Sequence, residues 1–205
     1  MSKLIPSFWY LLREKMKGRN FIYEFYFKGK RTIDVGCGGG QFLAFDKKLI
    51  HGVDLNEVVV QKLASDGFMV KVASADKIPY EDGKFEMAHC HNVIEHLIPK
   101  TAHGMLCESA RVLKRGGMLV LSSEVITRKF WGTFGHTRPY PPSAVKKLLR
   151  EDSREEFEPI SSLEWVGVFY LGDYYSNRVM YLISAFLGYY TPLFRREYFL
   201  VLRKK

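Results

Sequence analysis

From residue 32 onward the chain alternates short apolar runs with longer stretches in which apolar positions recur every three or four residues. The short runs have the length of buried parallel strands and the longer ones the spacing of amphipathic helices, so the pattern predicts a βαβ rhythm. Strands are predicted at 32–35, 50–55, 68–74, 85–91 and 118–123, with a helix after each of the first two and a longer one over 101–114. In that longer segment Ala102, Met105, Leu106, Ala110 and Leu113 keep helical spacing, and Gly116-Gly117 supplies the stop. Pro141-Pro142-Ser143 opens a short helix through Leu149, after which 157–169 and 197–202 read as two late strands completing the sheet. No internal repeat or low-complexity segment interrupts the pattern.

Two stretches depart from it. Residues 1–30 are crowded with aromatic and basic side chains (Phe8, Trp9, Tyr10, then 21–27) and are read as a cap on the domain formed by 31–205. Residues 179–194 are almost uncharged, but they include Gly188 and Pro192 and fall short of the ~20 residues a helix needs to cross a bilayer. A packed helical insertion over about 173–194 is the expectation. A lipid-facing or dimer surface is the other reading, since Tyr181, Tyr189, Tyr190, Arg178, Arg195 and Arg196 would suit an interface.

Composition narrows the class. At 205 residues the chain fits one α/β domain with additions and can bury a core without staples. Three cysteines at 37, 90 and 107, with no paired short spacing and no cleavage-type leader, favour a reducing, cytoplasmic setting without disulfides. The net charge of +9 sits at the ends: residues 1–31 hold eight Lys or Arg against Glu14 and Glu24, and residues 195–205 hold five against Glu197. The centre is near neutral, which argues against a nucleic-acid-coating domain. It leaves a basic rim for an anionic acceptor or a membrane surface, or simply solvated charge.

The candidate chemistry starts at Thr32-Ile33-Asp34-Val35-Gly36-Cys37-Gly38-Gly39-Gly40, an apolar strand that runs into a carboxylate and then a glycine cluster. Glycine admits positive φ and lets a ligand approach the main chain, and a following helix would offer free N–H donors, so a nucleotide-type cofactor is expected. The spacing G-x-G-x-G differs from the dinucleotide fingerprint, because Gln41 stands where the third glycine belongs. Asp54 ends the second apolar strand 20 residues after Asp34, where a carboxylate can accept both hydroxyl protons of a ribose. Asp76 follows the third strand.

Across residues 31–124 the pattern resembles the class I S-adenosylmethionine-dependent methyltransferases, in particular the small-molecule branch with the ubiquinone and menaquinone biosynthesis (type 11) enzymes. The resemblance rests on the glycine turn, on Gly52-Val53-Asp54-Leu55, on Ala75-Asp76-Lys77-Ile78-Pro79-Tyr80, on Phe85 through Leu97, and on Arg111-Val112-Leu113-Lys114-Arg115-Gly116-Gly117. It implies a Rossmann-like, doubly wound, mostly parallel seven-stranded sheet with helices on both faces, and S-adenosyl-L-methionine as cofactor. Asp34, Gly36, Cys37, Gly38 and Gly40 would then hold the methionine end, Asp54 the ribose, Asp76 with Ala75 the adenine amino group, Leu55 the adenine face, and His91 would contribute to the cofactor wall.

The remaining histidines invite a metal reading that strand geometry opposes. On a strand His89 and His91 point to one face and Cys90 to the other, so the three cannot share an ion. The resembling ubiquinone O-methyltransferases carry a Glu-x-x-Glu-His helix start associated with a divalent cation, but Asn92 replaces the first Glu here, and no metal is expected. Glu95 and His96 read as pocket and helix-start residues, with His96 a candidate for proton transfer. After the fifth strand, the loop 125–142 carries Gly135-His136-Thr137-Arg138-Pro139-Tyr140 where this fold places its acceptor. His136 is the candidate base, and Arg138 and Tyr140 are candidate acceptor-binding residues, against the plainer reading of a loop whose side chains cap helices.

The expected function is O-methylation of a small hydroxylated acceptor, including one linked to a lipid or glycan. RNA or protein methylation is a second reading, favoured by the basic ends and opposed by the missing Asn/Asp-Pro-Pro-Tyr signature after the fourth strand. A non-catalytic cofactor-binding or interaction module is a third. Peripheral membrane contact through the basic ends and a homodimer are the expected partnerships beyond the acceptor.

Overall fold

The computed structural model describes residues 4–18, 20–151, 156–172 and 177–205. Seven strands form one sheet: β1 (Thr32–Val35), β2 (Ile50–Asp54), β3 (Met69–Val72), β4 (Phe85–His91), β5 (Leu113–Glu124), β6 (Leu163–Gly172) and β7 (Arg195–Lys204). Their order is β3-β2-β1-β4-β5-β7-β6. The pairs among β1 to β5 are parallel, while β7 runs antiparallel to both β5 and β6. The mostly parallel, doubly wound sheet expected from the sequence is therefore present, and its order reverses between β1 and β4, where ligands of such sheets bind.

Strict alternation of side chains sorts the core into two layers. Ile33, Val35, Ala88, Cys90, Leu119, Leu121, Leu200 and Leu202 face one side, where they meet α3 (Pro99–Val112) and α5 (Pro142–Leu148). Met87, Val120, Phe199 and Val201 face the other, against α2 (Glu57–Ser65) and the aromatic head, which comprises α1 (Phe8–Met16) and a π turn over Tyr23–Phe27. By the same period of two, Asp34, His89, His91, Ser122 and Glu197 belong to the head's side of the sheet. The cap is thus seated over the polar ends of β1, β4 and β7.

Three local expectations change. The helix expected after β1 is a single 3-10 turn, Leu43–Phe45. Gly36, Gly38 and Gly40 all take positive φ, and the Asp46 carboxylate accepts from the N–H of Lys48 and Leu49, which closes the chain before two helical turns can form. The donors awaited from a helix N-terminus are replaced by those of the turn itself. Gly116-Gly117 does not stop α3, which passes directly into β5 at Leu113. The glycines lie inside β5 beside a register shift against β4, and a Cβ on Gly117 would stand 2.8 Å from the Glu86 and Lys114 carbonyl oxygens. The strand expected at 157–169 begins later, at Leu163.

The apolar segment forms α6 (Arg178–Tyr190), preceded by residues 173–176, which lie outside the described set. It crosses β6 so closely that a Cβ on Gly172 would run into the Ser184 carbonyl and one on Gly188 would come within 2.6 Å of the Gly172 Cα. Among the described residues no helix is long and apolar enough to cross a membrane. A short α4 (Arg128–Trp131) sits in the loop after β5.

Candidate active site

The glycine turn is pinned to β2 through its backbone. Gly36 and Cys37 donate to the Val53 carbonyl at 2.8 and 3.0 Å, and Gly38 donates to Asp54 Oδ2 at 2.9 Å. Asp54 Oδ1 accepts from Asn56 N at 2.9 Å. A carboxylate has about four acceptor positions, so Asp54 holds the turn in shape and keeps capacity for a diol. Gly36 is required twice over: its φ is +74°, and a Cβ there would come within 2.5 Å of Val93 Cγ2. Gly38, at φ +47°, faces open space, which leaves the main chain accessible from the cleft.

That cleft has a volume of about 850 Å³ and lies at the reversal of strand order. One wall is Asp34, Gly36, Cys37 and Gly38; the opposite wall is His91, Glu197 and Phe199; Lys15, Phe21 and Ile22 of the head approach from above. Its size suits a cofactor end together with a second reactant, given that ligand pockets span roughly 300–1,000 Å³. Asp34 is buried, with Oδ1 2.6 Å from His89 Nδ1. The His89 ring lies flat on Phe42, with centroids 3.7 Å apart. Burial, with Asp34 and Asp54 nearby, pushes the Cys37 thiol up to about 12, so this cysteine lines the cleft as a neutral apolar group and not as a nucleophile.

His91 closes the other side. Its Nδ1 lies 2.6 Å from Ser122 Oγ and 3.2 Å from Glu197 Oε1, and its ring is nearly parallel to that of His89, 6.0 Å away. Cys90 points to the opposite face, with Sγ 3.5 Å from Met105 Sδ, as strand alternation requires. Next to His91, Asn92 adopts φ +52°, and its buried Oδ1, on a residue lining the cleft, has no hydrogen-bond partner. An unsatisfied acceptor on a strained backbone at a cleft is the kind of position that a ligand's donor completes.

The other predicted residues are distributed unevenly. Gly40 is turned inward against Leu63. Asp54, Leu55, Ala75 and Asp76 follow the carboxyl ends of β2 and β3 outside the cleft's boundary. Leu55 is 67% exposed, free to cover a flat ring. Asp76 accepts from the Ser74 hydroxyl and packs its Cβ close to Gly104 of α3.

His96 and His136 lie beyond the cleft's wall. His96 Nδ1 is 2.8 Å from the Gly135 carbonyl and His136 Nδ1 is 2.9 Å from the Phe130 carbonyl, so both rings tether the loop after β5. Thr137 adds bonds from its N–H to the Glu95 carbonyl, 2.8 Å, and from its hydroxyl to the Leu97 carbonyl, 2.7 Å. Glu95 is fully buried beneath them, and burial raises its carboxyl above the usual range, with Ser123, His96 and His136 pulling only partway back. Among the described residues, the ligand atoms of Glu95, His96 and His136 are the set that converges, all within 4.8 Å of one another. Sequence reasoning considered Glu95 and His96 without His136, because the partner comes from a loop 40 residues later. Arg138 stacks on Tyr140, 5.3 Å from its ring centroid, and both line a separate 160 Å³ pocket with His103 and Phe157.

Sequence reasoning gave no site role to Lys15, Phe42, Ser122, Glu197 or Phe199, and it weighed Asn92 only as the residue replacing a Glu. Glu197 had a signal: it is the lone carboxylate in a basic, apolar strand, two residues from Phe199 and therefore on the same face.

Residues 33–121 match the family described as a methyltransferase domain. The ubiquinone biosynthesis O-methyltransferase of Thiobacillus denitrificans is 30% identical over 156 residues, 63% of this chain and 66% of that protein. A tRNA (carboxymethyluridine(34)-5-O)-methyltransferase alkbh8 of Xenopus tropicalis is 30% identical over 96 residues, 46% of this chain and 15% of its own length. The chain thus spans less than two thirds of these curated relatives. Among solved structures, a SAM-dependent methyltransferase from Archaeoglobus fulgidus shares the fold, with a TM-score of 0.66 at 22% identity, covering 97% of this chain and 100% of that one. Residues 33–121 are thus similar to a methyltransferase domain, and the Rossmann-like sheet with its glycine turn and acidic strand ends is a fold shared with S-adenosylmethionine-dependent methyltransferases.

Proposed function

We propose that the chain moves a methyl group from S-adenosylmethionine to a hydroxyl of a small acceptor. The observation that carries this reading is the cleft itself, with Asp34 and the glycine turn on one wall and an aromatic chamber that holds Lys15 and Glu197, from the head, β6 and β7, on the other. When bound, S-adenosylmethionine supplies a methyl group on a sulfonium that is already a good leaving group. The chain's task is then alignment and management of the acceptor proton. Asp34, Gly36, Cys37, Gly38 and Gly40 would hold the methionine end, Asp54 the ribose, and Leu55, Ala75 and Asp76 the adenine. His96, His136, Arg138 and Tyr140 would reach an acceptor in the cleft only after the loop after β5 rearranged. The similarity to ubiquinone biosynthesis O-methyltransferases supports oxygen over nitrogen or carbon as the methylated atom.

The acceptor side also suggests where a lipid-linked substrate would enter. Lys15, Phe21 and Leu171 line both the cleft and a groove beside α6, next to exposed Trp9, Met16, Ile183, Phe186 and Tyr190. With the basic ends close by, an anionic membrane surface suits this face. Retention on phosphatidylglycerol vesicles but not on phosphatidylcholine vesicles supports it; dimerisation in sedimentation velocity, with no vesicle binding, would reassign the face to a second copy.

Release of S-adenosylhomocysteine in the presence of lipid, glycan, quinone-precursor or RNA fractions tests the function. Turnover with RNA alone would favour the nucleic-acid reading. Tight cofactor binding without turnover on any fraction would leave a binding module.

A further inference from the structure

We propose that His91, oriented by Glu197, is the general base that takes the acceptor's proton, so that the reacting centre is assembled from the ends of β4 and β7. The inference rests on the methyl-transfer reading above. His91 Nδ1 faces Ser122 Oγ at 2.6 Å and Glu197 Oε1 at 3.2 Å. Glu197 Oε1 is buried without a hydrogen bond of its own, so its charge beside the ring favours a proton on Nδ1, with Ser122 Oγ accepting it, and Nε2 on the opposite edge of the ring then keeps its lone pair for the cleft that His91 lines. The side chain is half exposed there, whereas the Glu197 side chain beside it is only 15% exposed.

The other histidines do not offer this. His89 is buried, bonded to Asp34 and covered by Phe42. His96 and His136 do not line the cleft and serve the loop. The charged and titratable groups around His91 are Glu197 from β7, Asp34 from β1, His89 one pleat below and Lys15 of α1, which lines the same cleft, with Glu95, buried under the loop after β5, acting on it only through its charge. Burial alone would lower the imidazole's pKa, but the Glu197 carboxylate beside the ring and the charges of Asp34 and Glu95 outweigh it and leave it raised. That makes His91 a stronger base than a free imidazole.

In the step, the hydroxyl proton of the acceptor passes to Nε2 while an oxygen electron pair forms the bond to the methyl carbon. The carbon–sulfur pair stays on sulfur. One positive charge leaves the sulfonium and one appears on the imidazolium, where Glu197 balances it. Solvent then takes the proton.

Histidine ¹⁵N NMR titration of the full chain tests this without needing the acceptor, with the His91 signal assigned by its loss in His91→Gln. Glu197→Gln should lower the His91 midpoint by roughly 0.5–1 pH unit. The midpoint with S-adenosylmethionine bound should lie below that with S-adenosylhomocysteine bound, since only the former brings a positive charge to the ring. Equal midpoints in the two complexes, or no response to Glu197→Gln, would overturn the assignment while leaving the methyl-transfer reading intact. Failure of S-adenosylmethionine to bind by calorimetry would instead remove that reading and the inference with it. On the acceptor fraction that supports turnover, His91→Gln should lower kcat ~100-fold or more with little change in cofactor affinity, and Glu197→Gln should shift the acidic limb of the pH profile downward. The reverse pattern, a 100-fold loss in His136→Gln and less than threefold in His91→Gln, would return the base to the loop.

Discussion

The two sides of the cleft are built in opposite ways. On the β1–β2 side, strand, carboxylate, glycine turn and second carboxylate follow one another within about two dozen residues, and backbone bonds to Val53 and Asp54 fix their geometry. On the β4–β7 side, the wall joins α1, the end of β4 and β7, residues that are 76 to 106 positions apart in the chain from Lys15 to His91 and from His91 to Glu197. The first side is a local device, the one proposed to hold the methyl donor; the second, proposed to meet the acceptor, exists only after the fold has closed.

The largest expected effect sharpens that separation. Asp54→Ala removes the acceptor of the Gly38 N–H as well as the expected ribose contact, and should weaken S-adenosylmethionine binding by ~1.5–3 kcal/mol. Calorimetry against wild type measures it, with NAD as the control that should not bind. Equal affinities would sink the placement of the cofactor and break the comparison at its better-defined end.

A slightly smaller effect should appear on the other side. Gly172→Ala drives a methyl group into the Ser184 carbonyl, a backbone atom that cannot swing away, so α6 must shift off β6. Overpacking of this kind costs about 1–3 kcal/mol, or roughly 2–4 °C in Tm for each kcal/mol in a chain of this size. The expected result is a lower Tm and lost turnover with S-adenosylmethionine affinity within about twofold of wild type. If cofactor affinity falls in step with turnover, the two sides are one cooperative unit and not separable modules.

That difference explains what could be read from the sequence. The bounds of strands 32–35 and 85–91 are legible to the residue because a run of mostly buried positions ends there at a glycine or polar break, and Asp34 and Gly38 line the cleft. The helix after β1 was misplaced because three positive-φ glycines and the Asp46 turn use up its length. Gly116-Gly117 looked like a helix stop, yet its real constraint is a neighbouring strand's carbonyl, which sequence does not display. The wall of His91, Glu197 and Phe199 was the least legible part. Nothing near His91 in the chain announces Glu197, and His136 drew attention by its loop motif although its Nδ1 is held by the Phe130 carbonyl.

The loop after β5 lies between the two sides, and His136→Ala tests whether it belongs to either. Losing the bond to the Phe130 carbonyl should cost about 1 kcal/mol of stability, read in a denaturant titration as a lower midpoint at unchanged slope. A loss of turnover far beyond that destabilisation would place the loop in the reacting site.

The smallest effect concerns what lies beneath that loop. Glu95 is buried with neither carboxyl oxygen in a hydrogen bond, and burial raises its pKa. An acid whose folded pKa lies above its unfolded value contributes stability that is present below the unfolded value and is lost as pH rises through the folded one. Tm should therefore decline between about pH 4 and neutrality in wild type more than in Glu95→Gln, which keeps the shape and never ionises. The two proteins should converge in acid, with the variant ahead by a few °C at pH 7–8. Addition of EDTA should change neither curve. A rise in wild-type Tm on adding Zn²⁺, absent in Glu95→Gln, would mean that the two free imidazole nitrogens and this carboxylate hold a cation, and that a metal fastens the loop in addition to its hydrogen bonds.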